Sequence, residues 1–173
     1  MKPCNIRTLD EFLAHALAIE REAAARYLEF ADQMLTHNNH ETAALFERLA
    51  HLESEHHSHL QQRARSQSVA ALKPWEYRWI DPESPEATPI GPGHYLMTPH
   101  HALRLALANE ERARDFFAAV ADAQGCPEEV RRMAREFADD EGHHVAMIVK
   151  MLEGVAAPAD EWGPDLDPPM VVD

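Results

Sequence analysis

Four apolar stripes of helical period run through this chain, and a glutamate interrupts each one in its middle. In the first stripe, Leu9, Phe12, Leu13, Ala16, Ile19, Ala23, Tyr27, Phe30 and Met34 recur at helical spacing, with Glu20 among them. In the second, Leu45, Phe46, Leu49, Leu52 and Leu60 surround Glu53 and, one turn later, His56. The third sets Leu103, Ala106, Ala113, Phe117 and Val120 around Glu110. The fourth sets Val130, Ala134, Phe137, Val145, Ile148 and Leu152 around Glu141 and His144. Side chains three or four residues apart on a helix share a face, so these six polar residues point inward with the apolar ones.

Local signals place the helix ends. Thr8 and Glu11 have capping-box spacing at the start of the first helix. The cluster THNNH at 36–40 ends that helix and starts the second, which is expected to run to about Arg65. Thr98 followed by Pro99 predicts an N-cap and a proline at the first helical position, and Gly125 is expected to end the third helix. Pro127 opens the fourth and Gly154 closes it. Short connections make neighbouring helices antiparallel. The stretch 66–97 is instead long, proline-rich and aromatic, a crossover between helices 2 and 3. Its Trp75, Tyr77, Trp79 and Tyr95 predict ordered packing on the bundle or on a partner. The expected fold is all-α, a four-helix bundle domain over 1–154 with an extended tail over 155–173.

Burying four carboxylates together without positive charge would cost many kcal/mol or force their protonation. The lysines and arginines do not fall on the inner faces, so a pair of metal ions is the expected compensation. Four carboxylates and two neutral imidazoles, as Glu on two helices and Glu-x-x-His on two others, are a known metal-pair arrangement in such bundles. The chain has so many glutamates and histidines that one Glu-x-x-His pair would arise by accident. Register carries more weight. Ala50-x-x-Glu53-x-x-His56 repeats as Ala138-x-x-Glu141-x-x-His144, and Glu20-x-x-Ala23-x-x-x-Tyr27 repeats as Glu110-x-x-Ala113-x-x-x-Phe117. The first pattern recurs after 88 residues and the second after 90, as in a helix hairpin used twice.

Other candidates have blander expectations. Asp140 and His143 form a second acid-x-x-His pair about 100° away from the inward direction, and Asp139 also lies outside it. They are expected to face solvent or to support the ligands. Glu111 becomes the ligand only if helix 3 is rotated. Glu55, His57 and His59 fall off the stripe, as surface or interface residues. Tyr27 is expected to be core, with a phenol in reach of a ligand carboxylate.

Composition narrows the function classes. A net charge of −14 disfavours nucleic acid, whose phosphates need basic patches. No apolar run approaches the roughly 20 residues of a membrane span, and the first residues lack a signal-like apolar segment, so a cytoplasmic location is expected. Cys4 and Cys126 are the only cysteines, far apart and without CxxC spacing, so neither a thiolate metal site nor a disulfide framework is expected.

The segments Glu20–Tyr27, Phe46–His56, Ala108–Ala113 and Ala138–His144 together resemble the rubrerythrin group of the ferritin-like superfamily. The likeness covers about 8–65 and 98–153. It implies a ferritin-like bundle in which Glu20 and Glu110 form one pair of ligands and Glu53/His56 with Glu141/His144 form the other. Glu53 and Glu141 would be placed to bridge two iron ions, with manganese or zinc as substitutes. Such a centre would reduce hydrogen peroxide, or oxidise ferrous iron with dioxygen or peroxide. Iron storage or handling without turnover is the alternative, and hydroxylation of an organic substrate a third. Two departures stand out. The four-cysteine rubredoxin-like domain of full-length rubrerythrins is not in these residues, so a redox enzyme would need a separate electron-donor protein. Ala113 occupies the place where rubrerythrins tend to carry a further glutamate, the ligand linked to metal-shifting peroxidase behaviour. A homodimer is the default assembly.

Overall fold

The computed structural model describes residues 6–64, 69–87, 94–159 and 162. Four long helices account for most of them: α1 (Leu9–Thr36), α2 (His40–Arg63), α3 (Pro99–Asp122) and α4 (Glu128–Glu153). There is no strand among the described residues. α1 packs against α2 and α3 against α4, and the two antiparallel hairpins close into a ferritin-like four-helix bundle.

The caps follow the sequence signals with two adjustments. Thr8 accepts from the Glu11 N–H, but the Glu11 carboxylate accepts from the N–H of Arg7, one residue earlier than a strict capping box. The third helix ends at Asp122, three residues before Gly125, because the chain turns extended at Ala123. α2 closes at Arg63, close to the expected Arg65. Thr98 caps α3 with Pro99 at its first position, and the His101 ring supplies the reciprocal contact to the Thr98 N–H. Between α1 and α2, Asn38 adopts φ 58°, a left-handed conformation that asparagine tolerates better than most residues.

The core is split into two apolar halves. Phe12, Ile19, Leu60, Phe117, Val130 and Phe137 belong to one; Tyr27, Phe30, Phe46, Leu49, Leu103 and Ile148 belong to the other. Every helix contributes to both halves, and its interrupting glutamate lies between them. Aromatic edges lock the first half, with Phe12 against Phe117 and Phe137 at 5.8 and 5.3 Å between ring centroids.

The crossover is held at several points. The Ala70 N–H donates to the Asp10 carbonyl. Further on, the Arg78 N–H donates to Nε2 of His15, whose Nδ1 lies 2.6 Å from the Glu11 carbonyl. This fixes His15 as the neutral Nδ1–H tautomer. Tyr77 and Trp79 pack edge-on to the His15 ring. At its far end, the Met97 carbonyl accepts from Asn39 and Thr42 of the first hairpin. Trp75 departs from the expected packing: it is 73% exposed, with the Lys73 ammonium over its ring.

Candidate metal centre

Glu20, Glu53, Glu110 and Glu141 are all buried at the level between the two apolar halves. Alanines flank them on the inner faces, with Ala16 and Ala23 around Glu20 and Ala106 and Ala113 around Glu110. Small neighbours leave room in the middle for carboxylates where larger side chains would fill the space.

The polar layer forms two matching groups, one on each hairpin. Glu20, Glu53 and His56 bring donor atoms within 4.8 Å of one another, and so do Glu110, Glu141 and His144. In the first group, His56 Nδ1 lies 3.2 Å from Glu53 Oε2 and 3.7 Å from Glu20 Oε2. In the second, His144 Nδ1 lies 2.9 Å from Glu141 Oε2 and 3.4 Å from Glu110 Oε2. The groups meet where the two imidazoles stack, 3.8 Å between centroids and 6° from parallel. The register repeat seen in the sequence thus becomes an approximate two-fold arrangement in space.

Electrostatics shows what such a layer requires. Burial, with the Glu141 charge behind it, raises Glu20 to about 8. Burial likewise raises Glu53 and Glu141, with the neighbouring Glu110 carboxylate adding to each. His144 moves the other way from a buried histidine. Burial opposes its protonation, yet the Glu110 and Glu141 carboxylates beside it overcome this and raise it to about 11. Every one of these shifts favours adding positive charge to the layer, the demand that a cation meets. Glu20 Oε2 and Glu110 Oε2 also have no hydrogen-bond partner among the described residues. Buried carboxylate oxygens without donors are costly unless something positive binds them. The donor set fits metal ions on these grounds: divalent ions bind carboxylate and imidazole at about 2.1 Å, so donors of one ion lie a few ångströms apart.

The outward residues are placed as their angle predicts. Asp139, Asp140 and His143 are exposed, and Asp140 pairs with Arg63 at 3.0 Å. Glu111 is exposed, so α3 has the rotation that puts Glu110 inward. Glu55 and His59 are exposed, whereas His57 is half-buried, its Nδ1 3.2 Å from the Leu17 carbonyl. Tyr27 is fully buried against Phe46, and its hydroxyl accepts from the Asn109 amide at 3.0 Å. Burial, reinforced by the charges of Glu53 and Glu110, holds its phenol well above the usual range, so it stays protonated.

One buried acid escapes the periodic pattern. Glu86 comes from the crossover and is 1% exposed. Burial first, then the charges of Glu53, Glu110, Glu141 and Glu20, raise its carboxyl. The surrounding D-P-E-S-P-E-A-T-P has no helical or strand period, so its sequence offers no directional signal. A mouth of about 280 Å³ leads from solvent to the layer past His59, Arg63, Asp140 and His143.

The rubrerythrin family profile matches residues 11–78. The crystal structure of an uncharacterized conserved protein from Magnetospirillum magnetotacticum MS-1 is 42% identical, covering 88% of this chain and 99% of that one, with a TM-score of 0.62. The chain belongs to the rubrerythrin family. A comparison with the curated proteins gave no match. Membership in the rubrerythrin family accounts for the profile match across α1, α2 and the start of the crossover, and the second hairpin repeats their Glu and Glu-x-x-His pattern. Among the described residues, no helix of this rubrerythrin-family protein is long and apolar enough to cross a membrane.

Proposed function

We propose that this rubrerythrin-family protein is a non-haem di-iron oxidoreductase that reduces hydrogen peroxide or oxidises ferrous iron. The observation that carries this reading is the pair of Glu/Glu/His groups facing each other across the stacked His56 and His144 rings. Glu20, Glu53 and His56 would hold one ion, and Glu110, Glu141 and His144 the other. By the family resemblance, Glu53 and Glu141, the acids of the two Glu-x-x-His turns, would be shared by both ions. Mixed carboxylate and imidazole donors suit iron or manganese. Two ferrous ions would together supply the two electrons that a peroxide bond takes up on cleavage.

The protein's own residues set the conditions. Phe137 and Leu60 wall the mouth, while His59, His143 and Asp140 give it a polar rim. A mouth of this size admits peroxide, dioxygen or a hydrated ferrous ion. The Glu20 and Glu141 carboxyls and the His144 imidazole, whose affinity for protons is raised, would release protons as the ions bind, so loading should weaken at low pH. Tyr27, kept as a neutral phenol beside Glu53 and Glu110, orients Asn109 rather than adding charge. Reducing equivalents would come from a separate donor protein.

The histidine-rich rim also favours a second reading, ion uptake and release without turnover. Anaerobic ferrous titration followed by peroxide addition separates the two. Two ions per chain, oxidised by peroxide and repeatedly re-reduced by added donor, support the oxidoreductase. Two ions released without multiple turnovers would favour handling. Fewer than two ions per chain would remove both.

A further inference from the structure

A further buried acid, Glu86, feels the charge of all four helical carboxylates but does not come from the four helices. Glu86 lies in a turn closed by the Ala87 N–H on the Ser84 carbonyl. That turn is bolted to α3 at the level of Glu110. The Arg112 guanidinium donates to the Pro85 carbonyl at 2.7 Å, and the Asn109 amide donates to the Glu86 carbonyl at 3.4 Å. Asn109 is the residue immediately before Glu110, and the same amide reaches Tyr27. The Glu86 side chain is thereby delivered inward, and its Oε2 has no hydrogen-bond partner among the described residues. Arg112 does not answer it, since its nitrogens reach the Pro85 carbonyl and the Asn109 amide oxygen. Two hydrogen bonds from α3 and one within the turn hold a carboxylate oxygen without a hydrogen-bond partner inside a core, which is expensive unless that oxygen meets a cation.

We propose that Glu86 is a ligand of the metal pair, a fifth carboxylate supplied by the crossover. This rests on the di-metal reading of the six helical residues. Formal charge gives it a purpose. Four carboxylates balance two divalent ions, and a fifth balances a pair from which one electron has been withdrawn. The crossover therefore tunes the centre as well as joining the hairpins.

Cobalt(II) titration of the full chain tests this, with isotherm and visible absorption recorded for wild type, Glu86→Gln, Glu86→Asp and the exposed Glu83→Gln. Ligand loss changes cobalt coordination and hence its visible bands, a readout independent of turnover. The expected result is two ions in wild type and Glu83→Gln with one spectrum. Glu86→Gln should bind one ion at least tenfold more weakly, with shifted bands. Glu86→Asp, one methylene short but still anionic, should retain both ions with altered bands. It decides the question should the Gln variant not fold by circular dichroism. Unchanged affinity and bands in folded Glu86→Gln, or unchanged bands in folded Glu86→Asp, would overturn the assignment while leaving the six-residue centre intact. Fewer than two ions in wild type would overturn the underlying centre instead.

Discussion

Asp140 and Glu141 are adjacent in sequence, yet one helical step separates a solvent-exposed acid from a buried one. The difference should be measurable. Glu141→Ala is expected to lose at least one ion per chain in metal analysis after ferrous loading, and Asp140→Asn to keep both. Loss in the Asp140 variant would mean that the surface pair with Arg63, not the inner face, controls loading. Such angles were legible in the sequence because helices have a fixed period and the flanking apolar residues define an inside. Nothing comparable identified Glu86 or the bond between Asn109 and Tyr27, since each depends on two segments distant in the chain. Tyr27→Phe retains the ring but removes the Tyr27 acceptor of the buried Asn109 amide, leaving it the longer bond to the Glu86 carbonyl. It should cost about 1–3 kcal/mol in urea unfolding of the ion-free protein.

At the scale of elements, the helices were readable almost to their ends because their stop and start signals are local, the end of α3 before Gly125 being the largest departure. Thr8→Ala should accordingly destabilise the fold by about 1 kcal/mol, as measured by chemical denaturation. The crossover was readable only as a crossover. How it docks depends on His15, a residue outside the stripe read from the sequence, whose ring accepts from the Arg78 N–H. Burial lowers the His15 pKa from 6.5, so the folded protein resists a proton that the unfolded chain accepts. Stability from this group is complete above about 6.5 and falls as pH drops through the window below it. The melting temperature of wild type should decline over that interval more steeply than that of His15→Gln. Parallel curves for the two would show that His15 does not hold the crossover through its neutral form. Trp75 marks the limit of compositional reasoning, since an aromatic in an ordered segment can still stand in solvent.

At the scale of the whole molecule, ions that bind the folded state alone add RT ln(1 + [L]/Kd), about 2.7 kcal/mol at a hundredfold excess over Kd. Ferrous or cobalt loading should raise the melting temperature by several degrees, and a chelator should reverse the rise. No shift on loading would mean that the folded and unfolded chains hold the metal equally. The proposed homodimer is checked by light scattering, and a monomer mass would remove it. The repeated hairpin has a mechanical consequence. Each half carries three donors on its own pair of helices, and the halves meet at the stacked imidazoles. Ions held by the two halves would act as a clasp across that seam, joining two pieces that otherwise adhere through apolar surface. Opening the bundle along the seam would then be gated by the metal, and amide exchange at the centre should slow on loading while the helix ends exchange as before.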